Sequence, residues 1–197
     1  MPKHTKLLAI ILISIVSLTG CFGGDDETPT EDPTAGNSDY STYETTDFTL
    51  LAAKDWEVLT KDNFTSNVPP STAVVIRNNI KSSIFTANLN VSQAQLTKDT
   101  TSKDFALQTL NTEKYNLVGF QELVREELNM PIGETSLSTF LTTFRGRKTV
   151  TEPILEFKQL YIAQNGYGII VTAAYLTNED ESVVNKLDPM IRSFQLK

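Results

Sequence analysis

The chain has 197 residues, 24 of them acidic and 17 basic, and a formal net charge of −7 at pH 7. Its single histidine and single cysteine, His4 and Cys21, both lie near the N-terminus. Residues 22–197 therefore offer neither imidazole nor thiol. This excludes disulfides, Ser-His-Asp and Cys-His nucleophilic systems, and the usual His/Cys sites for zinc, haem and copper from that region.

Residues 1–20 are predicted to be a signal peptide. Lys3, His4 and Lys6 form a short basic head, and Leu7 to Leu18 is an uncharged apolar run. As a helix this run reaches about 18 Å, which is short of the ~30 Å hydrocarbon core of a bilayer. The run therefore has the length of a signal-peptide apolar region rather than of a permanent membrane span.

The sequence Leu18-Thr19-Gly20-Cys21 resembles a bacterial lipobox, in which a small residue precedes the cysteine that is acylated. The resemblance implies cleavage between Gly20 and Cys21 and a diacylglyceryl group on the Cys21 sulfur. Two acyl chains suffice for stable anchoring, because each buried methylene contributes about 0.8 kcal/mol. We therefore expect a lipid-anchored protein on the extracytoplasmic side of a cell membrane. The alternatives are an ordinary secretory signal and an uncleaved short anchor.

Residues 21–47 are predicted to be an acidic, disordered tether. This segment carries eight acids and no Lys or Arg, whereas residues 48–197 hold sixteen acids and fifteen bases. Such a composition repels itself and is too polar to form a core. A solvated spacer is the expected role, and binding of cations or of a basic partner is the alternative. The acids are Asp25, Asp26, Glu27, Glu31, Asp32, Asp39, Glu44 and Asp47.

Residues 48–197 are predicted to form one domain that begins with short strands. Phe48–Leu51 and Trp56–Leu59 are expected to form a hairpin or a paired bend. Thr72–Arg77 is rich in β-branched residues and follows two prolines, which cannot continue a ladder. Residues 85–92 alternate strictly between apolar and polar side chains, which predicts a strand with one dry and one wet face.

A helix is predicted at residues 101–115. Thr101 or Ser102 is a suitable N-cap, Asp104 favours the first turn, and Ala106 and Leu110 fall on one stripe. Residues 119–127 and 135–145 are two further strand candidates.

The clearest local signal is Asn165-Gly166 between two apolar runs. This dipeptide is preferred in a two-residue type I′ hairpin, because both positions need positive φ. The expected cross-strand neighbours are Ile162 with Ile169 and Leu160 with Val171, with Phe157 and Ala174 on the other face.

A second helix is predicted at the C-terminus. Asn178 and Glu181 have the spacing of a capping box, and Pro189 is expected to kink the helix or end its first part. The order of strands, helix, long antiparallel run and helix indicates an α+β fold: a mainly antiparallel β-sheet flanked by helices, as in an α/β/α sandwich. The apolar stripe consists of Val184, Leu187, Ile191 and Phe194.

Several segments together resemble one family over nearly all of residues 48–197. They are Asp55-Trp56, FTANLNVSQ at 85–93, the helix at 101–115, the hairpin at 159–175 and Ser193-Phe194. The domain resembles the PsbP-like group of α/β/α sandwiches, which includes the Ran-binding Mog proteins and many bacterial lipoproteins. Its members range from supporting a photosystem to binding a GTPase, and the resemblance therefore implies a noncatalytic, protein-facing role. Because these roles differ, no functional residue carries over to this chain.

Glu122, Glu126 and Glu127 are the candidates for carboxylate catalysis. Adjacent Glu126 and Glu127 on a strand point to opposite faces and do not share a proton. Glu122 and Glu126 are expected on one face about 13 Å apart, too far for a glycosidase pair. A solvated strand face is the preferred interpretation.

A calcium site is the alternative use of the acids at 179–181. Glu179, Asp180 and Glu181 lack the ligand spacing of an EF-hand, and a favourable interaction with the helix dipole explains them better. We therefore predict no metal and no cofactor.

Arg145-Gly146-Arg147-Lys148 is the densest basic cluster. It suits phosphate groups or an acidic partner, but an ordinary charged loop between strands is preferred. It lacks the phosphate-loop pattern, and nothing indicates nucleic acid. Four aromatic residues are candidates for lining a groove, although aromatics in a sheet usually belong to the core. They are Trp56, Tyr161, Tyr167 and Tyr175.

The leading functional hypothesis is a membrane-anchored lipoprotein that serves as a noncatalytic binding or assembly module of the cell envelope. Its expected partners are the membrane, through the anchor at Cys21, and an envelope protein. One alternative is a small-ligand or lipid-binding lipoprotein with a pocket between sheet and helix. The other is a hydrolase of cell-wall polymers that uses Glu122, Glu126 or Glu127.

Overall fold

The structure is a computed structural model that describes residues 39–197 except residues 66, 97, 98, 133 and 134. The predicted signal peptide, Cys21 and most of the predicted tether lie outside the described residues. The strands are β1 Tyr40–Glu44, β2 Phe48–Ala53, β3 Trp56–Thr60, β4 Thr72–Asn78, β5 Asn88–Gln95, β6 Val118–Ile132, β7 Thr135–Arg147, β8 Leu155–Gln164, β9 Tyr167–Leu176 and β10 Gln195–Leu196. The helices are α1 Ser102–Asn116 and α2 Glu181–Arg192, with a 3₁₀ turn at Lys61–Asn63.

The strands form two antiparallel sheets. The large sheet has seven strands in the order β3-β4-β5-β9-β8-β7-β6, and the small sheet has the order β1-β2-β10. Helix α1 covers one face of the large sheet, while α2 and the small sheet cover the other. The predicted α+β fold, a mainly antiparallel sheet between helices, is confirmed.

Apolar side chains on both faces of the central strands make two cores. On the α1 side, Phe105 and Leu110 pack with Phe144 and Phe157, whose rings stack with centroids 5.2 Å apart. On the α2 side the rings of Phe48 and Phe194 stack at 5.2 Å, next to Leu187 and Ile162. Adjacent strand residues point to opposite faces, so the continuous apolar runs of β8 and β9 supply both cores.

The hairpin of β8 and β9 has the predicted turn and register. Asn165 and Gly166 both have positive φ, 53° and 78°. Ile162 pairs with Ile169, Leu160 with Val171, and Phe157 with Ala174. Local turn chemistry thus sets the register of the two central strands.

The N-cap of α1 is the predicted residue, whereas the N-cap of α2 is a different one. The Thr101 side chain caps α1 by accepting a hydrogen bond from the Asp104 N–H, as predicted. Helix α2 is capped by Asp180, which accepts from the Ser182 N–H, and not by Asn178. This helix does not end at Pro189 but continues to Arg192.

Two strand predictions need correction. β2 and β3 do not form a hairpin, because β2 pairs with β1 and β10 in the small sheet whereas β3 joins the large one. The strand predicted at 85–92 begins only at Asn88. Its expected wet face is also partly covered: Asn88 is buried, because β5 lies inside the sheet with a partner on each side.

The predicted tether, residues 21–47, extended too far. Tyr40–Glu44 form β1, which pairs with β2 along its whole length. Tyr40 and Tyr43 are half-buried against the core of the α2 side. Two aromatic side chains in five residues provide the β-propensity and apolar area that the neighbouring acids obscured.

Candidate functional site

The three candidate catalytic carboxylates of β6 are held apart by ion pairs with different bases. Glu122 accepts two hydrogen bonds from Arg125, both at 2.8 Å. Glu126 pairs with Arg192 of α2 at 2.5 Å, and Glu127 pairs with Lys103 of α1. Because α1 and α2 cover opposite faces of the large sheet, Glu126 and Glu127 point to opposite faces, as predicted.

The electrostatics of these side chains also disfavour acid catalysis. The hydrogen bond from Arg192 lowers the pKa of Glu126, and the hydrogen bond from Lys103 lowers the pKa of Glu127. A general acid needs its pKa raised towards the working pH. The geometry thus gives these carboxylates structural partners and brings no two of them to one reaction centre.

The basic cluster at 145–148 is not a loop, which corrects the preferred interpretation. Arg145, Gly146 and Arg147 end strand β7, and only Lys148 enters the following turn. The Arg145 side chain donates to the Gln121 side chain of β6 at 2.5 and 2.9 Å. A Cβ at Gly146 would lie 3.0 Å from the Cβ of Leu117, so this glycine allows the chain after α1 to pass closely.

The four aromatic residues do not share a groove. Tyr161 is fully buried on the α1 side, whereas Trp56 and Tyr175 belong to the core on the other face. Tyr167 lies at the β8–β9 turn and is exposed. The preferred interpretation, core and cross-strand packing, holds for the three buried residues.

Among the acids at 179–181, Asp180 has a structural role. Its carboxylate accepts hydrogen bonds from the N–H and Oγ of Ser182, and these bonds lower its pKa. Within the described ranges, no group of three or more His, Cys, Asp or Glu side chains is placed to hold a metal ion. None of the helices in those ranges is long and apolar enough to cross a membrane.

The most unusual polar side chain among the described residues is Glu113, on the buried face of α1. Its residue is 1 % exposed, and neither carboxyl oxygen has a hydrogen-bond partner in the described part of the chain. One turn earlier, the buried Thr109 hydroxyl also lacks a partner there. Buried polar atoms normally find partners, so these two groups are exceptions among the described residues.

The sheet presents a row of polar side chains on the face that α1 covers. Thr142, Gln159 and Thr172 are direct cross-strand neighbours on β7, β8 and β9, and all three are buried. The Tyr161 hydroxyl joins them: it donates to Gln159 Oε1 at 2.8 Å and lies 2.8 Å from the Thr142 hydroxyl. Gln159 Nε2 in turn donates to the Thr172 hydroxyl at 3.1 Å.

Burial shifts the pKa values of Glu113 and of Tyr161, which belongs to this row of polar side chains. It raises the pKa of Glu113 to about 8, and the Gln159 side chain, which approaches the carboxyl group without reaching hydrogen-bond geometry, opposes part of that rise. Burial likewise raises the pKa of Tyr161. Glu113 is thus mainly the neutral carboxylic acid at pH 7, and in that form it can donate one hydrogen bond and accept others.

Sequence reasoning did not identify Glu113. The signal was present, because Glu113 follows Leu110 by three residues and so continues the Ala106–Leu110 stripe of α1. An acid on an apolar helical stripe predicts either a buried carboxyl group or a helix that turns another face to the core. The structure shows the first arrangement.

Comparisons with known proteins establish the fold. Cyanobacterial PsbP from Synechocystis sp. PCC 6803 has a similar structure, with a TM-score of 0.56 and 15% identity over 85% of this chain and 98% of that one. LpqN of Mycobacterium tuberculosis, described as involved in cell envelope biogenesis, gives a TM-score of 0.52 and 17% identity over 82% and 87%.

The yeast protein Mog1p, from Saccharomyces cerevisiae and described as Ran-binding, gives a TM-score of 0.52 at 12% identity and covers 80% of this chain and 95% of its own. No protein-family model and no curated protein sequence matches the chain. The described residues therefore have the fold shared by PsbP and Mog1p, a mostly antiparallel α+β sandwich.

Proposed function

We propose that this protein is a noncatalytic binding or assembly module held at the extracytoplasmic surface of a bacterial membrane by a lipid on Cys21. The observation that carries the proposal is the lipobox-like Leu18-Thr19-Gly20-Cys21 at the end of an apolar run too short to span a bilayer. Between Cys21 and the first described residue, Asp39, lie residues 22–38. Extended, they reach about 55–60 Å, enough for a tethered domain to meet partners.

The noncatalytic part of the proposal is supported by the side chains available for chemistry. Residues 22–197 contain no imidazole and no thiol. Glu126 and Glu127 are engaged with Arg192 and Lys103 on opposite faces of the sheet, and Glu122 is engaged with Arg125. The cell-envelope role of LpqN, a protein of similar fold, supports the proposed location by analogy.

Metabolic labelling tests the anchor. Cells that express the full chain are grown with a radioactive fatty acid, and the Cys21→Ala variant is the matched control. We expect label on the wild-type chain and none on the variant, together with loss of the variant from the membrane fraction. Label that persists on Cys21→Ala would contradict the proposed anchor.

A partner is sought by crosslinking in intact cells. A single envelope protein recovered with the wild-type chain, and lost with Cys21→Ala, would support an anchored binding module. Repeated recovery of no specific partner would count against it.

Ligand binding is a second candidate function, and the Glu113 geometry favours it. The unpartnered Glu113 carboxyl and Thr109 hydroxyl face a polar row between α1 and the large sheet. A small ligand rich in hydrogen-bonding groups fits that chemistry. Native mass spectrometry of the chain is expected to show a retained mass that Glu113→Leu releases, and an apo mass for the wild-type chain would remove this candidate.

A further inference from the structure

Several connections meet at one end of the large sheet, which we call the loop end. The registers Arg77–Asn88, Gly146–Leu155 and Leu155–Leu176 bring together the loops that follow β4, β7 and β9. Strand β6 starts at the same end, because Val118 pairs with Arg147, and α1 therefore ends there. The loop end thus comprises residues 79–87, 148–154 and 177–180 and the segment 114–118.

The loop end carries most of the large apolar side chains that are exposed in the described ranges. Six lie there, whereas the other four are Leu107, Leu123, Val124 and Tyr167. Scattered single exposures are common on protein surfaces, but a concentration at one end marks a contact surface. The six are Ile80 (81% exposed), Ile84 (65%), Tyr115 (80%), Val118 (40%), Val150 (67%) and Ile154 (45%).

Hydrogen bonds within the loops hold several of these side chains outward. In the loop after β4, the Ile80 N–H donates to the Asn78 side chain and the Ile84 N–H to the Ser82 hydroxyl. In the loop after β7, the Glu152 N–H donates to the Thr149 carbonyl and closes a turn with Val150 at its tip. The backbone is satisfied while the apolar tips remain in solvent.

Basic side chains belong to the same segments as these apolar tips or directly adjoin them. Lys114 and Lys148 are exposed, Arg147 is half-buried, and the Lys81 side chain is 45% exposed. The acids within the loop end are Glu152, Glu179 and Asp180. Acids in and next to this end have partners of their own: Glu57 pairs with Arg77 and with Lys81, Asp55 pairs with Lys186, and Asp180 caps α2.

The N-terminal segment also joins the domain at the loop end. The Lys54 N–H donates to the Asp39 carbonyl, and Tyr40 pairs with Ala53, immediately before the turn that leads to Trp56. Trp56 pairs with Asn78, the residue that precedes the loop after β4. A lipid on Cys21 would therefore connect to the end that carries the apolar and basic side chains.

We propose that the loop end docks on the anionic lipid surface of the membrane, with Ile80, Ile84 and Val150 inserted at the interface and the lysines near lipid phosphates. Apolar tips with neighbouring bases are the chemistry that binds such a surface. The N-terminal segment favours the membrane over a second copy of this chain as the occupant, because that segment joins the domain at the loop end. The inference rests on the proposed membrane anchor, since the anchor supplies the proximity.

Depth-dependent quenching tests the docked orientation. In the lipidated full chain Cys21 is blocked, so Ile80→Cys or Val150→Cys introduces the one free thiol for a fluorophore. The proteins are reconstituted in vesicles with about 30 mol % phosphatidylglycerol and acyl-chain nitroxide quenchers. Tyr167→Cys is the matched control, because Tyr167 is 53% exposed at the opposite end of the sheet.

We expect the fluorophores at 80 and 150 to lose at least half of their emission (about twofold), and the fluorophore at 167 to keep it. Equal emission at all three positions would overturn the docking. A blue shift at 80 and 150 without quenching would also overturn it, since it would indicate contact with protein.

An unlipidated background separates docking from anchoring. Cys21→Ala and its Lys114→Gln/Lys148→Gln derivative are compared on phosphatidylglycerol and phosphatidylcholine vesicles, so that the N-terminal apolar run contributes equally to both. Removing two bases is expected to lower partitioning on the anionic vesicles by about tenfold or more, and to change little on the neutral ones. Equal partitioning would overturn the docking even if labelling shows that Cys21 is lipidated, whereas the expected loss would stand even without lipidation.

Discussion

Glu113 lies where α1 presses onto the polar row of the large sheet, and its carboxyl group is enclosed without a partner among the described residues. Burial of a charge in such a place costs far more than burial of a neutral acid, which is why its pKa rises to about 8. Tyr161 is the titratable group that faces it from β8, and Glu122 with Arg125 on β6 also acts on Tyr161. At the scale of single residues, this carboxyl group is the clearest source of a pH-dependent free energy of unfolding.

The stability of the protein is expected to decrease as pH rises from about 4.5 to about 8, because the folded state keeps the Glu113 proton that the unfolded state releases. The effect is on the order of 3–5 kcal/mol in the free energy of unfolding. Glu113→Gln keeps the shape without the titration, so the variant should be markedly more stable than the wild type at pH 8 and similar to it at pH 4.5. Urea unfolding at several pH values measures the difference.

The control for this comparison is Glu152→Gln, which replaces a half-buried carboxyl group in the loop after β7. It is expected to retain the pH dependence of the wild type. If Glu113→Gln and the wild type lose stability in parallel over this range, the neutral state of Glu113 is refuted.

A second prediction at this scale concerns Gly168 on β9. A Cβ there would lie 2.6 Å from the ring of Phe105, so Gly168→Ala must displace that ring or the helix that carries it. We expect a loss of about 1–3 kcal/mol in the free energy of unfolding. Phe105→Leu should recover part of that loss in the double variant, and strictly additive losses would show that the ring contact is not the cause.

At the scale of the elements, helix α2 shows how one residue defines a helix start. The sequence pairs Asn178 with Glu181, whereas the structure uses Asp180, whose carboxylate accepts from the Ser182 N–H at 2.8 Å. Both residue types are good N-caps, so local preference does not choose between them. The choice depends on where the chain leaving β9 can first turn onto the sheet.

Substitution of each candidate cap tests this assignment. Asp180→Ala is expected to cost about 1 kcal/mol of stability, because it leaves N-terminal N–H groups of α2 without a side-chain acceptor. Asn178→Ala serves as the control and is expected to change stability by less than about 0.5 kcal/mol. Thermal unfolding compares the two, and the reverse order of effects would place the cap at Asn178.

Strand β6 shows why the element between residues 118 and 132 was predicted too short. The strand predicted at residues 119–127 continues through Pro131 to Ile132. β6 is the edge strand of the large sheet, where a missing backbone N–H is tolerated. Edge position is a property of the whole sheet and cannot be read from the segment itself.

At the scale of the whole molecule, the small sheet makes the N-terminal segment part of the domain. β1 pairs with β2, and the Tyr43 ring lies 6.2 Å from that of Phe48. A chain that begins at residue 48 is therefore expected to be less stable than one that begins at residue 39, by about 2–4 kcal/mol. Urea midpoints measure the difference, and equal midpoints would restore the predicted tether boundary at residue 47.

Features that depend on near neighbours in sequence were predictable. The Asn165-Gly166 turn, the register it sets and the Thr101 cap follow from backbone preferences within a few residues. The separation of β2 from β3 was not predictable in this way, because both strands have the length and composition of hairpin partners. The partners of β2 are β1 and β10, and the partner of β3 is β4, and this choice depends on how α2 and the two sheets pack.

The features of the candidate sites also fall into those predictable from the sequence and those that depend on tertiary packing. The sequence by itself determined the absence of imidazole and thiol after Cys21 and the opposite orientation of Glu126 and Glu127, since these depend on residue identity and strand periodicity. Only the tertiary structure decided that Glu113 is enclosed against Gln159 and Tyr161, and that two loops and the segment between α1 and β6 expose apolar side chains at one end. Burial and surface proximity arise from contacts between residues distant in the chain, and so no local pattern specifies them.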